Sequence, residues 1–173
     1  MSRPVWALLA GSAISIFLVV RAPAQSPESR APANLAQLMK GTLYPASNVM
    51  FAAQNDNPAD IPHAKDPNMA TDPLTSSYGK WEAVENSALS LSVMANLLTL
   101  PGLKCANGLE VPLKNADWAK FVQELRDAGV TAYAAAQTKN QDKMIDAAGV
   151  MSTACAHCHG KYRDRVTFAN RCK

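Results

Sequence analysis

The amino-acid sequence predicts an all-α fold, built as an antiparallel four-helix bundle. Apolar residues recur at three- and four-residue spacing in four segments, which is typical of amphipathic helices. No segment alternates apolar and polar residues in the manner of a half-buried strand. Short to moderate connections between such helices favour antiparallel neighbours that cover one another's apolar faces.

The first helix is predicted over residues 34–54, with a kink inside it. Pro45 removes an amide donor and its ring crowds the preceding turn. We therefore expect a kink between Gly41 and Pro45, with two shorter helices as the alternative. The apolar positions of this segment are Leu35, Leu38, Met39, Leu43, Ala46, Val49, Met50 and Ala53.

The other three helices are predicted over residues 76–100, 115–139 and 140–165. Asn115 and Asn140 stand at the N-cap positions of the last two, since asparagine side chains accept hydrogen bonds from free helix amides. The apolar stripes of these helices are Trp81, Val84, Ala88, Leu91, Ala95 and Leu98; Trp118, Val122, Leu125, Gly129 and Ala132; and Met144, Ala147, Met151, Ala154, Cys155, Cys158 and Tyr162.

Two loops separate these helices. Residues 55–74 are dense in Asn, Asp and Pro, and form an unusually long connection. Such a loop covers a site or meets a partner, or it is a tolerated surface insertion. Residues 101–114 form the second loop, which contains Cys105.

The N-terminal residues 1–24 are predicted to be a secretory signal peptide. A basic start precedes an apolar run, which ends in small residues before Gln25, so we expect cleavage after Ala24 and export to the periplasm. An uncleaved membrane anchor is the alternative. Residues 25–33 are interpreted as a disordered leader, and residues 34–173 as the folded domain.

The charge balance excludes some classes of function. The full chain has a net charge of +3. Loss of Arg3 and Arg21 with the signal peptide leaves 15 basic and 14 acidic side chains. Nothing in this balance suggests nucleic-acid binding, which requires a concentrated basic patch. The C-terminal stretch alone is locally basic, through Lys161, Arg163, Arg165, Arg171 and Lys173. No catalytic triad, acid pair or activated nucleophile is evident, so we do not expect an enzyme.

The four cysteines all lie in the predicted domain, and they fall into two pairs. Cys105 and Cys172 are predicted to form a disulfide, because an exported protein meets an oxidising compartment. Two unpaired thiols are the alternative.

The other pair belongs to the motif Cys155-Ala156-His157-Cys158-His159, which is the attachment pattern of a c-type haem. Residues three apart share one face of a helix, so Cys155 and Cys158 can both form thioether bonds to one macrocycle. His159 is then the proximal iron ligand. Three alternatives are a thioredoxin-like motif, a redox disulfide, and a zinc site from these cysteines, a motif histidine and Cys172.

The chain resembles the cytochrome c-prime family, the class II cytochromes c. The likeness is carried by residues 155–163, where an aromatic and a basic residue follow the histidine, and by Leu38-Met39-Lys40 in the first helix. It implies a four-helix bundle over residues 34–165 with one haem on the last helix. Leu35 stands where relatives often have an arginine, and the loop 55–74 and the Cys105/Cys172 pair are also not typical of the family.

Met39 is the residue on which the expected function depends. The resemblance implies that it lies on the distal side of the iron, either as a ligand or as a wall. A Met39 ligand gives six-coordinate iron suited to one-electron transfer between periplasmic partners. Met39 as a core residue leaves five-coordinate iron, which in this family binds gases such as NO and CO. A homodimer is one assembly that the resemblance implies.

Other residues near the motif have weaker assignments. Arg163 is a candidate partner for a haem propionate, with Lys161 as a second candidate and a solvated basic helix end as the alternative. His63 and Met69 of the long loop are further candidates to cover the haem. His157 is predicted to be exposed. The residues Trp81, Trp118 and Tyr162 are interpreted as core or haem-packing residues.

Overall fold

The computed structural model describes residues 31–164, 166–167 and 171–172. The predicted signal peptide and residues 25–30 of the leader lie outside these ranges. The fold is all-α, as predicted: the described residues form four long helical segments and no strand. Extended pairing in these ranges is limited to one isolated antiparallel bridge between Lys104 and Glu110.

The first helix begins where the sequence predicts. Asn34 and Gln37 form a capping box, in which each side-chain oxygen accepts the other residue's backbone N–H at 2.9 Å. The helix consists of Leu35–Leu38, a π-helical turn at Met39–Leu43, and Tyr44–Ala52.

The π-helical turn is the structural response to Pro45. Proline has no N–H to donate into the helix. The wider turn shifts the register, so that the Tyr44 N–H donates to the carbonyl of Met39, five residues earlier. The distortion predicted between Gly41 and Pro45 is therefore present, and the helical backbone continues through it without dividing into two helices.

The second helix begins later than predicted. It spans Lys80–Met94 and continues as a 3-10 helix over Ala95–Thr99. A Cβ atom on Gly79 would lie 2.4 Å from the Leu74 carbonyl oxygen, and Lys80 has a φ of 56°. This tight reversal occupies the residues in which the sequence pattern predicted the first helical turn.

The third and fourth helices span Ala116–Gln137 and Gln141–His159. Asn140 caps the fourth helix, because its side-chain oxygen accepts the Lys143 N–H at 2.9 Å. Asn115 occupies the N-cap position of the third helix, but its side chain makes no cap hydrogen bond. The fourth helix continues as a π-helix over Gly160–Asp164.

The predicted apolar stripes form the core or pack against it. Every stripe position of the second and third helices is buried, and Trp118 is 2% exposed while its indole N–H donates to the Leu98 carbonyl at 2.9 Å. Each long helix packs against the next one along the chain. The second and third helices approach each other closely at Gly129, where a Cβ would lie 2.7 Å from the Ser92 backbone nitrogen.

The long loop lies against the second helix. It contains three short 3-10 turns, Pro58–Asp60, Pro67–Met69 and Pro73–Thr75, each with an Asn or Asp at its N-cap position. His63 Nδ1 lies 2.9 Å from the Ser76 carbonyl oxygen, and Met69 is 77% exposed. The loop thus has regular local structure.

The predicted disulfide between Cys105 and Cys172 is confirmed, with the two Cα atoms 4.9 Å apart. It ties the loop between the second and third helices to the C-terminus. The same loop receives the Leu35 N–H at the Lys104 carbonyl, 2.8 Å away. The start of the first helix and the C-terminal residues are therefore both held by one loop.

Among the residues that the structure describes, no helix is long and apolar enough to cross a membrane.

Replacing both bridged cysteines by serine is expected to lower the free energy of unfolding by about 2–5 kcal/mol, because the open chain regains entropy when unfolded. Urea denaturation of the oxidised protein and the double variant measures the difference. A decrease in the free energy of unfolding of less than about 0.5 kcal/mol, the size typical of surface substitutions, would contradict the expectation.

Two glycine substitutions are expected to have opposite effects. Gly129→Ala forces a methyl group into the Ser92 backbone and should destabilise by about 1–3 kcal/mol. Gly149 lies in the middle of the fourth helix on its exposed face, and a Cβ there would have no atom within 4 Å. Gly149→Ala should therefore stabilise the fold by about 0.5–1 kcal/mol, because alanine favours the helix. Equal midpoints for the two variants in thermal unfolding would contradict the proposed close approach of the helices.

Candidate haem-attachment site

The two cysteines of the motif lie near the C-terminal end of the fourth helix. Cys155 and Cys158 are both half-buried, and both pack against the hydrophobic core. Both are free thiols, whereas Cys105 and Cys172 are bonded to each other. The motif pair is therefore the pair left available for attachment, three residues apart on one helical face.

The surroundings of these thiols disfavour thiolate formation. Burial, then the neighbouring Cys155 and Glu124, raise the pKa of Cys158 to about 11. Burial also raises the pKa of Cys155, with Arg163 acting in the opposite direction. Reactive redox dithiols have a lowered pKa and commonly lie at a helix N-terminus, where the dipole stabilises the thiolate. The motif cysteines instead have a raised pKa and lie near the C-terminal end of their helix. Both properties argue against the thioredoxin-like and redox-disulfide alternatives.

His159 is the last residue of the α-helical part of the fourth helix. Its side chain is half-buried, and burial, then the positive charge of Arg163, lower the pKa of the imidazole, while Asp164 acts in the opposite direction. The neutral imidazole is the form that binds metal ions. The local environment therefore favours the protonation state that iron ligation needs.

The zinc alternative loses one of its proposed ligands. Cys172 is bonded to Cys105, so it does not supply a thiolate beside the motif. Across the described ranges, no group of three or more His, Cys, Asp or Glu side chains is arranged to hold a metal ion.

Met39 lies in the π-helical turn of the first helix. Its side chain is half-buried against the core, between the buried residues Leu38 and Leu43. This turn packs on the second helix. Leu35, which stands where relatives have an arginine, is 8% exposed and belongs to the core. Met39 therefore lies on an apolar side of the molecule, and its ligation to iron stays a prediction.

Arg163 and Lys161 both follow the motif, and both already have carboxylate partners. Arg163 is exposed, and its Nε lies 2.7 Å from Oδ1 of Asp164, a hydrogen bond that raises the pKa of the guanidinium. Lys161 pairs with Asp117 at the start of the third helix. A propionate contact for Arg163 stays a prediction.

His157 is exposed, as predicted, but it has a partner that sequence reasoning missed. Its Nδ1 lies 2.9 Å from Oε2 of Glu124 on the third helix. Asp117 was missed as well. The signal in the sequence is the spacing of Asp117, Phe121 and Glu124, which follow one another at four and three residues along one face.

The aromatic residues near the motif form a small cluster. The Tyr162 ring lies 5.2 Å from the Trp118 ring and 6.3 Å from the Phe121 ring, centre to centre, in edge-to-face arrangements. Phe121 lies 6.2 Å from the His157 ring. Trp118 and Trp81 are core residues, with 2% and 5% of their surface exposed.

A cavity of about 310 Å³ lies between the first two helices and the long loop, and none of its lining residues belongs to the motif. It is lined by Thr42, Pro45, Ala46, Val49, Pro73, Ser87, Ser90 and Met94.

Comparisons of the chain with family models, curated proteins and solved structures find no match. The likeness to cytochromes c-prime therefore depends on the quoted residues and on the helical fold.

In protein produced without haem maturation, Cys158 is expected to react slowly with iodoacetamide. A thiol whose pKa is about 11 has far less thiolate at pH 8 than an ordinary cysteine. We expect its rate, followed by peptide mass spectrometry, to be at least roughly tenfold below that of free cysteine. A rate above that of free cysteine would contradict the raised pKa and favour the redox-dithiol interpretation.

Proposed function

We propose that this protein is an exported monohaem c-type cytochrome that carries out one-electron transfer. The observation that carries the proposal is the state of the cysteines. Two half-buried free thiols stand three residues apart before a half-buried histidine, while the remaining two cysteines form a disulfide.

The residues present suit a c-type haem. Cys155 and Cys158 offer two thiols on one helical face for thioether bonds, and their contact with the core gives an apolar side for the macrocycle. His159, directly after the second cysteine, offers an imidazole whose pKa is lowered by burial, which favours the neutral form. When bound, the haem supplies an iron that gains and loses one electron.

The proposal includes an antiparallel four-helix bundle, and contacts at both ends of the helices support it. At one end, Gln141 Nε2 donates to the Ala53 carbonyl at 3.3 Å, which joins the start of the fourth helix to the end of the first. At the other end, Lys161 pairs with Asp117, which joins the end of the fourth helix to the start of the third. Antiparallel neighbours bring these ends together.

Export to the periplasm is also part of the proposal. The Cys105–Cys172 disulfide supports it, since such bridges persist in oxidising compartments. The signal segment of residues 1–24 supports it independently, and an uncleaved anchor remains the alternative.

A second candidate function is the binding of small gases by five-coordinate iron. The observation in its favour is the apolar surrounding of Met39, where Leu35, Leu38 and Leu43 are all buried. Without a sixth ligand, such a wall leaves an apolar distal side on which NO or CO binds.

Optical spectra of the matured protein, ferric and ferrous, with and without CO, test the proposal. Electron transfer through six-coordinate iron predicts a low-spin ferrous spectrum that CO barely changes. A high-spin spectrum that CO shifts fully would favour gas binding and remove Met39 as a ligand. A protein without haem absorbance after competent maturation would contradict both candidates.

Met39→Ala separates the two candidates at the level of one residue. If Met39 ligates the iron, its loss opens the sixth position, and the ferrous protein becomes fully responsive to CO. Met69→Ala is the matched control, because Met69 is 77% exposed in the long loop. Equal CO responses in the wild type and both variants would show that Met39 is not a ligand.

A further inference from the structure

We propose that Asp117 and Glu124 of the third helix are positioning residues for the proximal histidine, and that they hold the chain on both sides of His159. This inference rests on the proposed haem function. It assigns a role to two carboxylates that lie outside the attachment motif.

On the C-terminal side of His159, Asp117 receives two donors. The Tyr162 hydroxyl donates to its Oδ1 at 2.5 Å, and the Lys161 ammonium pairs with its Oδ2. The Tyr162 oxygen also accepts a hydrogen bond from Asn115 Nδ2 at 3.2 Å. The hydroxyl is thus a donor and an acceptor at once, which fixes both the ring and the backbone that carries it.

On the N-terminal side of His159, Glu124 holds His157. Its Oε2 lies 2.9 Å from His157 Nδ1. Phe121 stands between the two carboxylates along the third helix, and its ring packs beside the rings of His157 and Tyr162. The two contacts enclose the short segment Cys158-His159-Gly160.

The backbone explains why such contacts matter at this place. The helix changes from α to π directly after His159, and the Gly160 N–H is shared among the carbonyls of Ala156, His157 and Cys158. A π-helical turn is rare and occurs mostly as a local interruption of an α-helix. His159 is thus the last residue before a change of helical register, and the contacts from the third helix hold the chain on both sides of this change.

The charges at this end of the molecule support the same arrangement. Asp117 lies in the first turn of the third helix, and Lys161 follows the last turn of the fourth, so each charge faces a favourable helix dipole. The Asp117 side chain is 26% exposed and that of Lys161 is 54% exposed, so salt screens this ion pair in part.

The test uses four variants of the matured protein: Asp117→Asn, Tyr162→Phe, the double variant Asp117→Asn with Glu124→Gln, and the control Asp146→Asn. Asp146 lies on the exposed face of the fourth helix before the motif, and its variant makes the same charge change as Asp117→Asn. The readouts are the reduction potential and the line shape of the ferric electron paramagnetic resonance signal.

We expect Asp117→Asn and Tyr162→Phe to broaden or split the ferric signal, because the imidazole adopts more than one orientation. Tyr162→Phe has this effect without changing any charge. Asp146→Asn keeps the wild-type line shape. Glu124→Gln combined with Asp117→Asn broadens the signal further than Asp117→Asn alone, since both sides of the histidine are then released.

Three outcomes overturn the inference. Wild-type line shapes in both Asp117→Asn and Tyr162→Phe show that the contacts do not position the histidine. A shift of the potential with an unchanged line shape shows an effect of charge alone. Absence of haem from the matured wild type overturns the proposed function and, with it, this inference. A Tyr162→Phe protein that folds by circular dichroism but attaches less haem than Asp146→Asn supports the inference.

Discussion

The packing of the fourth helix against the third is the interaction on which the rest of the structure depends. It buries Met144, Ala147, Met151 and Ala154 and carries the two motif cysteines into contact with the core. Residues three or four apart share one face of a helix. The apolar residues that pack this helix against the third therefore also place the motif cysteines on the side that faces the core. The burial that raises the pKa of Cys158 and lowers that of His159 is a consequence of this packing.

The same packing gathers several chain segments at one end of the molecule. The loop with Cys105 receives the first amide of the first helix and is bonded to Cys172. Asn107 of this loop donates to the Arg171 carbonyl at 2.9 Å, and Arg171 in turn lies beside Asp164 after the motif. The helix that carries Met39 and the segment that follows His159 are thus tied to a common loop.

Local patterns in the sequence predicted much of the fold. Four predictions are confirmed: the apolar stripes, the cap at Asn140, the distortion before Pro45 and the Cys105–Cys172 bridge. Periodicity and capping depend on neighbouring residues, and the cysteine pairing follows from composition, so the sequence contains the signal for each. The start of the second helix was wrong by four residues, since the reversal at Gly79 depends on the approach of the Leu74 carbonyl. That contact has no sequence signature.

The candidate site was predictable in its motif but not in its surroundings. Asn115 was expected to cap its own helix, yet its side chain donates to the Tyr162 hydroxyl, because a partner from the fourth helix competes with the local amides. The pairing of Asp117 with Lys161, 44 residues away, likewise requires the tertiary arrangement. Local propensity does not report such distant partners, so only the regular spacing of the two carboxylates was visible in advance.

The central claim, covalent attachment of one haem through Cys155 and Cys158, is tested most directly by intact-mass spectrometry after expression with c-type maturation. The account predicts that the denatured chain carries the added mass of one haem, and that peptide mapping locates it on residues 155–159. A Cys155→Ser and Cys158→Ser double variant should lose that mass and keep the Cys105–Cys172 bridge. A denatured wild-type chain with no added mass and two free motif thiols would contradict the account.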